Sequence, residues 1–268
     1  MRYYIKRGLL ALLAIAALTT VAAAFTARPM APHPYFATGD FQVIAHRGGK
    51  GLAPENTLAA FHRATALGVD VLEIDLRQSA DGVPIVLHDR RVDRTTDGSG
   101  SVANLNWAAL RQLDAGAGKR IPTFDQVLQT AASSLRLNVH LKATGDERLV
   151  PAVVSAIVRA DALDRAYLAT DAATWQQARA IEPRLTGCHL GPHPRNTPEF
   201  LATTNALGCR IVQLDWRLLT ADYVARAHAL AIEVHAMHLV ANHDDCVYAT
   251  VPPTGADAVL TDYPDRWL

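Results

Sequence analysis

Short apolar runs alternate with amphipathic stretches along most of the chain. The runs are Val43–Ala45, Val71–Leu76, Ile85–Leu87, Leu137–Leu141, Ala166–Ala169, Leu185–Leu190, Ile211–Leu214, Ile232–Leu239 and Ala258–Leu260. Between them, segments such as Leu58–Leu67, Val127–Ala132, Val150–Val158, Trp175–Ile181 and Tyr223–Leu230 repeat their apolar positions every three or four residues. Strand-like and helix-like patterns taking turns predict parallel β/α units. Nine runs are one too many for an eightfold barrel. The gap between Leu76 and Ile85 is too short for a crossover helix, and Asp81-Gly82 is a two-residue hairpin signal. With those two residues as the loop, Ala80 pairs with Val83 and Asp75 lies opposite His88. Glu73, Asp75 and His88 then project from one sheet face. The predicted fold class is α/β: an irregular (β/α)8 TIM-type barrel with an extra hairpin strand after the second strand, preceded by an N-terminal hydrophobic helix.

The N-terminus has a different pattern. Arg2, Lys6 and Arg7 precede Gly8–Ala27, twenty residues without a charge and rich in Leu and Ala. Residues 1–28 therefore read as a signal peptide or transmembrane anchor, with Ala22-x-Ala24 as a candidate cleavage site. Residues 29–40, with Pro29, Pro32 and Pro34, read as a spacer, and residues 41–268 as one catalytic barrel domain. The expected location follows: anchored in a membrane facing away from the cytoplasm, or periplasmic or secreted after cleavage. Arg2, Lys6, Arg7 and Arg28 take four of the 26 basic groups and none of the 26 acidic ones, so the body is net acidic, 22 against 26. Such a surface offers no basic footprint for nucleic acid and suits a small-molecule partner. The three cysteines, Cys188, Cys209 and Cys246, have no metal-ligand spacing and read as buried thiols.

The candidate chemistry is concentrated early in the barrel. Glu73 and Asp75 are two apart on a strand and share its inward face. Ionised carboxylates there require a partner or a cation, and hard oxygen donors suit Mg²⁺ or Ca²⁺. His46 and His88 each end a strand, where barrel sites assemble, and imidazole titrates near neutral pH. Arg47 offers a fork of donors for a phosphate, with Gly48 and Gly49 allowing close backbone approach. Asn56 or Thr57 can cap the helix Leu58–Leu67, which stops at Gly68; Glu55 suits its positive end and is within reach of the site. His140 and Lys142 share a face of a later strand, as a metal ligand and a second phosphate cation. His140 also admits Mn²⁺ or Zn²⁺.

These residues form an ordered set: His46-Arg47-Gly48, Pro54-Glu55-Asn56-Thr57, Glu73-Ile-Asp75, Asp81-Gly82, His88-Asp89, Arg94-Thr95-Thr96-Asp97-Gly98-Ser99-Gly100, Leu113-Asp114-Ala115-Gly116, Ile121-Pro122-Thr123 and Ala256–Pro264. The set resembles the glycerophosphodiester phosphodiesterase family over about residues 42–268, most densely up to residue 125. The resemblance implies metal-dependent hydrolysis of glycerophosphodiesters to glycerol 3-phosphate and an alcohol. It also implies His46 and His88 as acid and base, Glu73 and Asp75 on the metal, and Arg47 and Lys142 on phosphate. Three departures stand out. His140 replaces the family's metal-binding Glu, Met237-His238-Leu239-Val240 replaces Trp-Thr-Val-Asn, and Ala169-Thr170 replaces Ser-Phe. They leave two alternatives open: a lysophospholipid or sphingolipid headgroup phosphodiesterase on the same scaffold, and a non-catalytic phosphodiester-binding envelope protein.

Overall fold

The structure, a computed structural model, describes residues 41–142, 148–239 and 246–268. Eight parallel strands close a ring: β1 (Gln42–Ala45), β2 (Val71–Gln78), β4 (Arg136–Leu141), β5 (Ala166–Thr170), β6 (Thr186–His189), β7 (Ile211–Asp215), β8 (Glu233–His238) and β9 (Ala258–Thr261). β1 pairs with both β2 and β9, which completes the closure. A ninth strand, β3 (Pro84–Val86), lies outside the ring, antiparallel to β2. All nine apolar runs thus become strands, and the barrel with its extra hairpin strand is the observed architecture. The predicted N-terminal helix (1–28) and spacer (29–40) lie outside the described residues. Among the described residues, no helix is long and apolar enough to cross a membrane.

The hairpin register differs from the expected one by a residue. Leu76 pairs with Val86 and Gln78 with Pro84, so Ser79 faces Val83 across a three-residue loop, 80–82. Gly82 adopts φ +86°, the left-handed conformation that lets the third loop residue rejoin the strand as a bulge. Ser79 Oγ donates to Asp81 Oδ1 at 2.6 Å and stiffens this turn. His88 therefore lies beyond the end of β3 and is not cross-strand from Asp75.

Helices α1 (Leu58–Leu67), α2 (Phe124–Thr130), α3 (Leu149–Arg159), α4 (Ala172–Ile181), α5 (Pro198–Ala206), α6 (Ala221–Ala229) and α7 (Cys246–Thr250) connect successive barrel strands. Thr57, not Asn56, caps α1, its side chain accepting from Ala60 N. Gly68 ends that helix at φ +88°, the usual C-terminal stop. α3 buries Leu149, Val150, Val153, Val154 and Ile157 at helical spacing, one of several apolar stripes laid on the outside of the strands. Alternate positions of the strands point the other way: Ile44, Val71, Tyr167, Ala169, Cys188, Ile211, Ala258 and Leu260 form the cluster that fills the ring. His46, Glu73, Asp75, His140, Lys142 and Asp262 continue that inward phase toward the carboxyl ends of the strands.

Candidate active site

Strand register brings the carboxylates and His140 together. In the β2–β4 ladder Asp75 is the direct partner of His140, and Glu73 that of Asn138. Neighbours in a parallel ladder share a face, so two acidic groups and an imidazole converge. His140 Nδ1 is 3.3 Å from Asp75 Oδ1 and 3.6 Å from Glu73 Oε1. Lys142 Nζ is 3.1 Å from the same Asp75 oxygen and 2.9 Å from His140 Nδ1. Asp75 and Glu73 are fully buried. Burial acts to raise the Asp75 carboxyl, but His140 and the charge of Lys142 hold it well below its ordinary range. Burial acts equally to depress His140, yet Asp75 and Glu73 lift it above its ordinary value.

The turn after β1 supplies the next groups. Arg47 adopts φ +53°, a strained conformation of a kind that collects at functional sites. Its backbone N–H donates to Glu73 Oε2 at 2.7 Å, and Nε lies 3.3 Å from Asp75 Oδ2. A side chain on Gly48 would come within 2.8 Å of Phe61, so α1 packs directly against this turn only because glycine stands there. Asn56, also left-handed at φ +57°, donates from Nδ2 to Asp75 Oδ2 at 2.9 Å. Of the two candidate caps, Thr57 takes that role and Asn56 holds a carboxylate of the cluster.

Both histidines carry a carboxylate on Nδ1. His46 Nδ1 meets Asp262 Oδ1 at 2.5 Å, and His88 Nδ1 meets Asp89 Oδ1 at 2.6 Å. An ionised carboxylate can only accept, so each Nδ1 bears a proton, which leaves each Nε2 as the atom that can take or give one. Burial lowers the His88 imidazole below its ordinary value, outweighing Asp75 and Asp89. Asp89 is gripped in turn by Arg94 (Nε to Oδ2, 2.5 Å), which also holds both oxygens of Glu55 at 2.8 and 3.0 Å. Glu55 accepts from Arg47 Nη1 at 2.8 Å. An unbroken chain of charge contacts therefore links Arg47, Glu55, Arg94, Asp89 and His88.

A cavity of about 470 Å³ opens over this cluster, lined on one side by His46, Arg47, Glu73, His88, His140 and Lys142. Thr170, Leu190, Arg195, Gln213, Met237 and Leu239 line the other. The seven residues nominated from sequence (His46, Arg47, Glu73, Asp75, His88, His140, Lys142) thus gather at one barrel mouth. Sequence reasoning missed Asp262, Asp89, Asn56, Arg94 and Arg195 as site residues. All but Arg195 stand inside the quoted motifs, which was a signal available to be used. Cys188 and Cys209 are buried as expected; Cys246 is exposed, because it opens the short helix α7 on the barrel exterior.

The donor set fits a divalent cation. One ligand atom each from Glu73, Asp75 and His140 lies within 4.8 Å of the others. Asp75 Oδ1, fully buried, accepts no hydrogen bond; its contacts with Lys142 and His140 are charge contacts alone. An orphaned carboxylate oxygen among two further donors is the arrangement a cation completes.

Comparison with known proteins agrees with this geometry. The model of the glycerophosphoryl diester phosphodiesterase family matches residues 46–266. Over 241 residues, 83% of the chain and 87% of its relative, the sequence is 31% identical to the Mycobacterium tuberculosis protein named "Probable glycerophosphodiester phosphodiesterase 2". It is 43% identical to the glycerophosphodiester phosphodiesterase of Caldanaerobacter subterraneus over 108 residues, a match spanning 37% of this chain and under half (44%) of that protein. In structure it is similar to an Oleispira antarctica phosphodiesterase solved with the product sn-glycerol-3-phosphate, at a TM-score of 0.76 and 29% identity, covering 84% of this chain and 94% of the other. The chain belongs to the glycerophosphoryl diester phosphodiesterase family.

Proposed function

We propose that the protein hydrolyses glycerophosphodiesters to glycerol 3-phosphate and an alcohol. One observation carries this reading: two imidazoles, each fixed at Nδ1 by a carboxylate, border the same cavity as the Glu73–Asp75–His140 cluster and the cations Arg47 and Lys142. The product complex of the Oleispira relative supports a glycerol 3-phosphate product here.

Each residue has a defined task. Arg47 and Lys142 orient the phosphate and offset its charge. His88, kept neutral by burial, takes the proton of the attacking oxygen through Nε2 as general base. His46, oriented by Asp262, returns a proton to the departing alkoxide as general acid. Glu73, Asp75 and His140 would hold one divalent cation, whose charge polarises the phosphoryl group when it is bound. Two carboxylates favour Mg²⁺ or Ca²⁺, and the imidazole admits Mn²⁺ or Zn²⁺.

The test is phosphodiesterase activity of residues 30–268 against a panel of glycerophosphodiesters, with each of these metals in turn. Release of glycerol 3-phosphate is expected; no turnover and no metal binding would leave a phosphodiester-binding protein instead. A second reading, hydrolysis of a lysophospholipid headgroup, is favoured by the apolar wall of Leu190, Met237 and Leu239. Comparing glycerophosphocholine with lysophosphatidylcholine separates the two. The N-terminal segment supports export, which fractionation of cells producing the full chain would test.

A further inference from the structure

The arc of the cavity opposite the catalytic cluster carries a positive charge that the proposed hydrolysis does not use. Following the ring, β1, β2, β4, β5, β6, the segment after β6 lies halfway round from His46. Arg195 is on that segment, half-buried, and lines the cavity. It is pinned from three directions. Its Nε donates to Gly191 O at 2.8 Å, its Nη1 to Gln213 O at 3.1 Å, and its own carbonyl accepts from Tyr223 Oη at 2.7 Å. A guanidinium has five N–H donors; these two bonds leave three without a partner among the described residues. Both partners are neutral carbonyls, which fix the position of the group and leave its charge unmatched.

No carboxylate among the described residues lies within ion-pair distance of Arg195. Asp171, the acidic residue lining the same arc, is committed elsewhere: it caps α4, accepting from Thr174 N at 3.0 Å and Thr174 Oγ1 at 2.9 Å. The rest of that arc is Thr170, Leu190, Gln213, Met237 and Leu239, with the exposed imidazole of His193 and no Phe, Tyr or Trp among the described lining residues. A quaternary ammonium group is recognised by aromatic faces or by negative charge; this wall offers no Phe, Tyr or Trp face, and the carboxylate of Asp171 is turned to Thr174. A rigid guanidinium with no carboxylate partner among the described residues, lining a cavity, suits an anionic oxygen group.

We propose that Arg195 binds an anionic group at the far end of the substrate, selecting phosphodiesters whose alcohol carries a carboxylate or a second phosphate over those whose alcohol is purely cationic. The inference rests on the phosphodiesterase reading above and deepens it to a substrate class.

Glycerophosphoserine and glycerophosphoethanolamine differ by one carboxylate and make the cleanest pair. The wild-type protein should favour the serine diester by roughly tenfold or more, the usual range for a charge-assisted hydrogen bond. In Arg195→Gln that ratio should fall to about one, with Arg195→Lys in between. The ratio is to be read in kcat/KM and, separately, in Kd by calorimetry. Both diesters bound with the predicted Kd ratio but neither hydrolysed would sink the phosphodiesterase reading and keep the anion site. A wild-type Kd ratio of about one, a ratio unchanged in Arg195→Gln, or equal losses for both diesters would overturn the assignment. Equal losses would mark Arg195 as a mere latch for its loop. Should Arg195→Gln fail to fold, the wild-type ratio alone still decides.

Discussion

His46 Nδ1 and Asp262 Oδ1 lie 2.5 Å apart, although 216 positions separate the two residues in the chain. The β1–β9 register, with Ala45 beside Thr261, places them side by side. Asp262→Asn keeps the shape but admits the wrong imidazole tautomer. We expect kcat to fall on the order of 10²- to 10⁴-fold, the usual contribution of one proton-transfer group. His46→Ala combined with Asp262→Asn should be no slower than His46→Ala alone, because the pair acts as a unit. Steady-state kinetics on the single and double variants check this; additive losses would uncouple the two residues.

The pH–rate profile should report His88. Burial lowers its imidazole from the ordinary 6.5, so the neutral, proton-accepting form persists into mildly acidic solution. The acid limb of kcat/KM, which reflects the free enzyme, is expected below pH 6.5. His88→Ala should abolish turnover at every pH with folding intact. An acid limb well above 6.5 in the wild type would remove His88 from the role of base.

Arg94 ties the insertion after β3 to the helix-entry turn through Asp89 and Glu55. Hydrogen bonding to Arg94 holds Asp89 far below the ordinary carboxylate range, and Glu55 is lowered despite its burial. Groups depressed on folding contribute stability above their unfolded values and lose it as pH falls through their folded ones. The Tm difference between wild type and Arg94→Ala should therefore be constant from pH 6 to 8 and shrink below about pH 4. Differential scanning fluorimetry across that range decides it; a gap that widens in acid would refute the network.

His140→Glu should shift metal preference. The change adds a negative, hard oxygen donor beside Asp75, which favours Mg²⁺ and Ca²⁺. Their affinity is expected to rise roughly tenfold or more, in keeping with added ligand charge, while Zn²⁺ gains less. Calorimetric metal titration of both proteins measures this, and an unchanged order of affinities would take position 140 out of the ligand set.

Thiol labelling should separate the cysteines. Burial pushes Cys209 up to about 12 and raises Cys188 as well, so neither supplies thiolate at neutral pH. One equivalent of a disulfide reagent should react with the native protein, at exposed Cys246. Rapid reaction of more than one thiol would contradict the buried placement.

Short apolar runs and the three-to-four spacing made every barrel strand and helix α1 readable, because a strand buried on both faces leaves a continuous apolar imprint. Glu73 with Asp75 and His140 with Lys142 were legible because residues two apart on a strand share a face. The hairpin register was not: Asp81-Gly82 announces a turn, but whether the loop holds two or three residues depends on Gly82 turning left-handed and on Ser79 bonding across it. Asn56 read as one of two candidate caps because its local surroundings suit one, whereas its partner Asp75 is supplied by a strand nineteen residues on. Asp262 sat in a quoted motif without a role, since no local pattern tells which distant strand will lie beside it. Arg195 had no motif at all; only the folded loop shows its charge unmatched.

Because the ring closes where β1 meets β9, hydrolytic competence is a late event in the life of the polypeptide. A partly assembled sheet can already collect Glu73, Asp75 and His140 from adjacent strands, yet it leaves His46 without its carboxylate. Turnover thus doubles as a reporter of complete folding: during renaturation it should appear together with the final closure, after metal affinity has recovered.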